Sequence, residues 1–256
     1  MTELYTEVIM ELLVKDDYYM GIFLKTQIIQ CKDVNIAYTE NGEGNVMLLL
    51  HGNSENKEIF KKYQTEYFRD FHTFALDSRA HGQSSWNGEN LSIEQMSNDV
   101  IEFCRLKNIP KASVIGFSDG GNIALFLAKN APDLFTDVIA LSPNTLVSGT
   151  EKKTLTLINA FQKVYRFLKK IGINTDKWIK RFNLMLTDIG LSFKDLSSIR
   201  TRVHIIYSEH DMINEDHILQ IHKAIQGSTI YKEMKANHMN EVGKTGVVNR
   251  IRSLLA

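Results

Sequence analysis

Residues 112–129 read ASVIGFSDGGNIALFLAK, a short apolar run that leads through a glycine-rich turn into a helical pattern. The turn contains the pattern G-x-S-x-G, with Ser118 at its centre. The string alone is weak evidence, but a strand before it and a helix after it are the context of a nucleophile elbow. In such an elbow, glycines let strand and helix pass closely, and the serine hydroxyl stands above the sheet. The sequence therefore predicts Ser118 as a nucleophile, with a plain strand–helix turn as the alternative.

The same succession of apolar run and helical pattern recurs along the chain. Apolar runs occupy residues 46–50, 71–76, 112–117, 138–141 and 203–207, and helical patterns occupy 93–106 and 122–129. Continuous apolar strands that alternate with helices are typical of an α/β fold, in which a mostly parallel sheet carries helices on both faces. Residues 27–30 and 34–38 predict a leading hairpin at the edge of this sheet.

Residues 144–200 form an interval too long for one crossover, which needs only about a dozen residues plus its loops. Leu157, Phe161, Tyr165 and Leu168 fall on one helical face. This pattern predicts a helical lid inserted at about 144–200, over the sheet edge where open α/β sheets bind ligands. Ordinary core packing is the alternative interpretation of the aromatic face.

The domain organisation follows from these elements. We expect an N-terminal extension over residues 1–26, in which 1–20 read as a short amphipathic helix, and one domain over 27–256.

Two residues near the C-terminus complete a candidate catalytic set. A serine nucleophile needs a base, and a carboxylate must orient that base. Asp211 follows the strand at 203–207, and His238 follows a strand near Ile230. The chain order Ser118, Asp211, His238 is the order that an elbow of this architecture requires. A solvent-exposed loop histidine is the alternative for His238.

Taken together, these strings resemble the α/β-hydrolase superfamily over roughly residues 27–256. Further support comes from HGN at 51–53, DSRAHGQS at 77–84, SEHD at 208–211 and NH at 237–238. The resemblance implies an α/β-hydrolase fold and an oxyanion hole formed by the backbone N–H groups of Asn53 and Asp119. Asp119 opens a helix, so its N–H has no helical partner and can bind a developing anion.

One loop resembles a family segment that is mostly structural. It contains Asp77, Arg79 and His81, which we leave out of the catalytic set. Family members usually carry glycine where this chain has Ala80.

Composition limits the classes of function. The 256 residues are 43% hydrophobic, with 30 basic and 30 acidic side chains and a formal net charge of zero. A nucleic-acid partner would favour a surplus of Lys and Arg, so none is expected. The longest apolar runs are about five residues, where a membrane helix needs about twenty. Cys31 and Cys104 belong to no CxxC motif, which predicts reduced thiols in a cytoplasmic protein, with a disulfide between them as the alternative.

Motifs for other chemistries are absent from the sequence. It has no HExxH, no CxxC, and no dinucleotide or P-loop motif after a strand, so we expect neither a metal nor a cofactor. Serine stands at the elbow where haloalkane dehalogenases and epoxide hydrolases of this superfamily have aspartate. The sequence predicts a serine hydrolase whose partner is a small-molecule acyl substrate, cleaved at an ester or a similarly activated acyl bond. Alternatives are a thioester, lactone, C–C or aminopeptidase-type hydrolase, or a ligand-sensing protein with slow turnover.

Two features bear on the substrate and compete with each other. Asp119 follows the nucleophile, and its Ser-Asp-Gly-Gly string resembles a subset of the superfamily that acts on α-amino esters. In that subset the carboxylate can bind a substrate ammonium group. The alternative is that the Asp119 carboxylate only caps the helix it opens, where it interacts favourably with the helix dipole. The lid is basic, which predicts either a solvated outer face or steering of anionic substrates. Between residues 151 and 190 the basic residues are Lys152, Lys153, Lys163, Arg166, Lys169, Lys170, Lys177, Lys180 and Arg181, against Glu151, Asp176 and Asp188.

Overall fold

An eight-stranded sheet organises residues 24–256, the part of the chain that the computed structural model describes. The expected helix at 1–20 and most of the expected extension at 1–26 lie outside these residues. The strands are β1 (Gln27–Cys31), β2 (Val34–Asn41), β3 (Val46–Leu50), β4 (His72–Leu76), β5 (Ala112–Phe117), β6 (Phe135–Leu141), β7 (Arg202–His210) and β8 (Thr229–Asn237).

The strand order is β1-β2-β4-β3-β5-β6-β7-β8. Strand β1 pairs antiparallel with β2, and β2 pairs antiparallel with β4, so the predicted hairpin lies at the sheet edge. All other neighbouring strands are parallel. The predicted mostly parallel sheet is confirmed. Because parallel strands share one carboxyl edge, the segments after β5, β6, β7 and β8 meet there as direct neighbours.

The described residues contain seven α-helices. They are α1 (Ile93–Leu106), α2 (Asp119–Asn130), α3 (Lys152–Lys170), α4 (Asp176–Met185), α5 (Phe193–Leu196), α6 (Glu215–Ala224) and α7 (Thr245–Leu255). Helix α1 begins where the sequence predicts, because Ser92 caps it: the Ser92 hydroxyl accepts from the Gln95 N–H at 3.1 Å.

The hydrophobic core lies on both faces of the sheet. Along β3, Leu48 and Leu50 belong to a buried cluster that includes residues of α1, α2 and α6, whereas Met47 and Leu49 belong to a second cluster that includes residues of α7. This alternation is the period of a strand buried on both sides, and it explains why the strand reads as a continuous apolar run. The predicted placement of helices on both faces is confirmed.

Both cysteines are buried in the core with free thiols. Burial raises the pKa of Cys31 to about 11 and that of Cys104 to about 12. Since the thiolate is the nucleophilic form, neither cysteine competes with Ser118 as a nucleophile.

Helices α3, α4 and α5 fill the interval between β6 and β7, as the lid prediction requires. Helix α3 has no fully buried residue, and Phe161 is 43% exposed. The interpretation of its aromatic face as ordinary core is therefore wrong. Instead α3 packs on α4, where the Phe161 ring stacks on Phe182 at 6.3 Å and Tyr165 stacks on Trp178 at 5.4 Å between ring centroids.

Helix α4 joins this lid to the body of the domain. The Arg181 guanidinium is buried and donates through Nε to the carbonyl oxygen of Ala80 at 2.9 Å. Arg181 is thus a structural contact and not part of a solvated outer face. Across residues 24–256, no helix combines the length and the apolar character needed to span a membrane.

Candidate active site

Ser118 stands at the sharp turn between β5 and α2. Its backbone has φ 53° and ψ −116°, a strained conformation of the kind that nucleophile elbows hold. The turn needs glycine on both sides: a Cβ on Gly116 would lie 2.0 Å from the Gly120 carbonyl oxygen, and one on Gly120 would lie 2.0 Å from that of Leu50. The Ser118 N–H donates to the Leu141 carbonyl oxygen at 2.8 Å, which fixes the turn against β6.

The structure brings Ser118, His238 and Asp211 together. The Ser118 hydroxyl lies 3.0 Å from His238 Nε2, and His238 Nδ1 lies 2.7 Å from Asp211 Oδ1. Asp211 directly follows β7 and His238 directly follows β8, so neighbouring strands present both groups. Because an ionised carboxylate only accepts, Nδ1 carries the proton of a neutral His238 and Nε2 is free to accept from Ser118. His238 is buried, so the exposed-loop alternative for it is wrong.

Asp211 is held as an anion by four donors. Burial opposes its ionisation, but hydrogen bonds from His238, the Ser142 hydroxyl and the Ile213 N–H, together with the charge of His238, outweigh burial and lower the pKa of Asp211. The Ile213 N–H donates at 3.0 Å, and the Ser208 N–H donates at 3.3 Å. The carboxylate therefore keeps the charge that would stabilise a protonated His238.

The loop after β3 brings Asn53 beside the elbow. His51 anchors this loop: its Nδ1 donates to the Gly52 carbonyl oxygen at 2.7 Å and its Nε2 accepts from the Ser78 N–H at 3.0 Å. Burial lowers the pKa of His51 to about 4, so the ring stays neutral in this bridging role. The Asn53 carboxamide then donates to Asp119 Oδ2 at 2.9 Å, which joins the two segments expected to form an oxyanion hole.

The Asp119 carboxyl group is bound by side-chain amides. It accepts from Asn53 and, more weakly at 3.4 Å, from Asn122 Nδ2. Burial raises the pKa of Asp119 in spite of these two hydrogen bonds. The side chain therefore lies within the loop–elbow junction, where a cationic ligand would stabilise its charge.

The fold places this chain among known proteins. The family described as alpha/beta hydrolase fold matches residues 45–170. The crystal structure of E-2-(acetamidomethylene)succinate hydrolase has a TM-score of 0.77 and 16% sequence identity, covering 91% of this chain and 99% of that one. The chain belongs to the α/β-hydrolase superfamily.

Curated relatives of this α/β hydrolase match over shorter segments. Ethanol acetyltransferase 2 of Hanseniaspora uvarum is 26% identical over 61% of this chain and 46% of that protein. Protein phosphatase methylesterase 1 of Rattus norvegicus is 32% identical over 51% of this chain and 35% of that protein. The matched segment thus spans less than half the length of these relatives.

The loop that the sequence analysis left out of the catalytic set has structural contacts in this hydrolase. Asp77 is fully buried and accepts from the Lys57 side chain at 2.9 Å and from the Gln83 N–H at 2.8 Å. Arg79 makes a two-pronged ion pair with Asp99, with both N–O distances at 2.6 Å. These contacts fix the conformation of the loop.

Two buried residues next to the candidate triad were not predicted from the sequence. Ser142 directly follows β6, and its hydroxyl contacts both Asp211 Oδ2 and Glu241 Oε2. The position of Ser142 at the strand end was a usable signal, because Ser118, Asp211 and His238 occupy the same kind of position. Glu241 lies three residues after His238 and gave no comparable signal.

One side-chain cluster among residues 24–256 has the composition of a metal site. Potential ligand atoms of Asp211, His238 and Glu241 lie within 4.8 Å of one another. Both nitrogens of His238 already contact Asp211 and Ser118, however, and that pairing suits proton transfer.

Proposed function

We propose that this α/β hydrolase cleaves a carboxylic ester, or a similarly activated acyl bond, through a covalent acyl-serine intermediate. The observation that carries the proposal is the continuous contact from Ser118 Oγ to His238 Nε2 and from His238 Nδ1 to Asp211, at 3.0 and 2.7 Å. A serine hydroxyl is a weak nucleophile, and this arrangement supplies both its base and the group that orients the base.

In the acylation step, Ser118 Oγ attacks the substrate carbonyl carbon while its proton passes to His238 Nε2. The carbonyl oxygen becomes an oxyanion, which the backbone N–H groups of Asn53 and Asp119 stabilise. The bond to the leaving alcohol then breaks, and the alcohol oxygen takes the proton from His238. Asp211 remains ionised throughout and stabilises the charged imidazole.

In the deacylation step, a water molecule replaces the alcohol. His238 accepts a proton from this water, whose oxygen attacks the acyl carbon and forms a second oxyanion at the same two N–H groups. The Ser118 Oγ–acyl bond breaks, His238 returns the proton to Ser118, and the carboxylic acid is released. The cycle needs only water and the chain's own residues.

Two relatives support ester chemistry. One is named for acetyl transfer to ethanol and the other for methyl ester cleavage. Both names describe reactions at an ester linkage, which is the chemistry that a serine nucleophile with this base performs. A thioester, lactone or C–C substrate would use the same three side chains and differ in its binding pocket.

Turnover separates an esterase from a ligand-sensing protein with the same three residues. We expect p-nitrophenyl acetate or butyrate to be hydrolysed for many cycles per Ser118, whereas a sensor would release one equivalent and stop. A fluorophosphonate probe should label the peptide that contains Ser118, and Ser118→Ala should lose the label. Ser148→Ala, which changes an exposed serine in the short 3₁₀ helix Val147–Gly149, provides the matched control. A single burst without turnover would contradict the esterase proposal.

A second candidate function is cleavage of esters that carry an α-amino group. The observation that favours it is the Asp119 carboxyl group, which lies one residue from the nucleophile with amides as its partners. A substrate ammonium beside it would form a charge-assisted hydrogen bond in a partly dry site.

A further inference from the structure

Ser142 carries one hydroxyl hydrogen and contacts two carboxyl groups. Its Oγ lies at hydrogen-bond distance from Asp211 Oδ2 and from Glu241 Oε2. A hydroxyl donates only one hydrogen bond, so it cannot satisfy two ionised carboxylates. One of the two carboxyl groups must therefore carry a proton and donate it to Ser142 Oγ.

The surroundings identify Glu241 as the protonated partner. Asp211 receives hydrogen bonds from His238 and from the Ile213 N–H, which favour its ionised form. Glu241 has 0% exposure, and within residues 24–256 its Oε1 has no hydrogen-bond partner. An ionised carboxylate in that position would be buried without compensation.

The groups that face Glu241 reinforce this assignment. Burial is the largest cause of the raised pKa of Glu241. The acidic side chains of Asp211 and Glu233 raise this pKa further. Tyr63 approaches from the short helix after β3 and donates its hydroxyl to the Val242 carbonyl oxygen at 3.0 Å. His238 lies three residues away and is committed to Asp211.

We propose that Glu241 is a positioning residue that acts through Ser142. Protonated Glu241 donates to Ser142 Oγ, which commits the Ser142 hydrogen to Asp211 Oδ2. The Asp211 carboxylate is thereby held with Oδ1 toward His238 Nδ1. Ionised Glu241 would instead compete for the Ser142 hydrogen and place a second negative charge beside Asp211. The catalytic consequence of this proposal rests on the serine-hydrolase function proposed above, whereas the location of the proton does not.

Infrared spectroscopy locates the proton without any substrate. In the inactive Ser118→Ala background at neutral pH, we expect a carbonyl band of a protonated carboxylic acid that Glu241→Gln removes. Glu233→Gln is the matched control, since it removes a neighbouring glutamate and should retain the band. Identical spectra with and without Glu241→Gln would overturn the proposal, and this readout stands even if Ser118 is not the nucleophile.

Kinetics tests the positioning role. We expect Glu241→Leu, which cannot donate, to lower kcat about tenfold, as for other residues coupled within one hydrogen-bond network. The amide of Glu241→Gln can donate to Ser142 Oγ, and should restore most of this loss. In a Ser142→Ala background, Glu241→Leu should cost nothing more, because the residue through which it acts is gone. Equal losses for Leu and Gln, or additive losses with Ser142→Ala, would overturn the positioning role.

Discussion

The Asn53 carboxamide donates a hydrogen bond to Asp119 Oδ2 at 2.9 Å, although the two residues are 66 positions apart in the chain. This contact joins the loop after β3 to the first residue of α2. The two backbone N–H groups proposed to stabilise the oxyanion therefore belong to segments whose side chains are directly bonded. It also holds the Asp119 carboxyl group at the junction of the loop and the elbow.

This position predicts a preference for amino-acid esters. An ammonium group beside Asp119 should contribute about 1.5–3 kcal/mol, the range for a hydrogen bond to a charged group. For the wild-type enzyme, kcat/KM for the amino-acid ester should then exceed kcat/KM for the des-amino analogue by about 10- to 150-fold. Asp119→Asn keeps the shape of the side chain and should remove this preference. An unchanged ratio between the two esters in the variant would show that Asp119 takes no part in substrate selection.

Asp211→Asn should lower kcat by about 10⁴-fold, because the new amide favours the wrong tautomer of His238. The amide would donate to Nδ1, leaving the proton on Nε2, where it blocks transfer from Ser118. Steady-state rates with a p-nitrophenyl ester measure the effect. The control is Asp216→Asn, an exposed acidic residue in the first turn of α6. A rate within tenfold of wild type would point to a different orienting carboxylate.

Glu241 should make stability depend on pH. A glutamate in the unfolded chain has a pKa of about 4.3, whereas burial and the charge of Asp211 hold the pKa of Glu241 in the folded protein well above its usual range. At pH values between the unfolded and folded pKa values, unfolding therefore releases a proton, and the free energy of unfolding falls as pH rises. The free energy of unfolding of wild type should fall, relative to Glu241→Gln, by about 1.4 kcal/mol per pH unit in that window.

Urea unfolding at several pH values between 5 and 8 measures this difference. Glu94→Gln removes an exposed carboxylate and provides the control for the loss of one acidic group. A difference between wild type and Glu241→Gln that stays constant with pH would contradict a protonated Glu241 in the folded state.

The positions of the three proposed catalytic side chains were predictable because strand ends are visible in the sequence. Ser118, Asp211 and His238 each follow a strand directly, and parallel neighbours bring such positions together. The contact between Ser142 and Glu241 was not predictable in the same way. It depends on β8 continuing to Asn237 and on a short 3₁₀ helix that turns Glu241 back under the sheet edge.

The lid shows a second limit of sequence patterns. Apolar residues at helical spacing in α3 indicate which face is covered, but the same pattern suits a core helix and a helix that packs only on one neighbour. The distinction required the observed contacts of Phe161 and Tyr165 with α4.

The basic lid should not discriminate between acidic and neutral esters. Lys169 pairs with Asp176 at 2.5 Å, Lys153 pairs with Glu151 at 2.9 Å, and Arg181 is committed to a backbone carbonyl. Because two of these charges have acidic partners and the third is buried, we expect kcat/KM to show the same salt dependence for both esters between low and physiological ionic strength. A steep fall for the acidic ester alone would support electrostatic steering by the lid instead.

The rate of Ser118→Ala with p-nitrophenyl butyrate tests the central claim most directly. Removing the nucleophile of such a triad costs on the order of 10⁶ in kcat, so the variant should be reduced to background hydrolysis. Its circular dichroism and melting temperature should match those of wild type, because the side chain does not contribute to the core. A folded Ser118→Ala protein that retained activity within tenfold of wild type would contradict the acyl-serine mechanism.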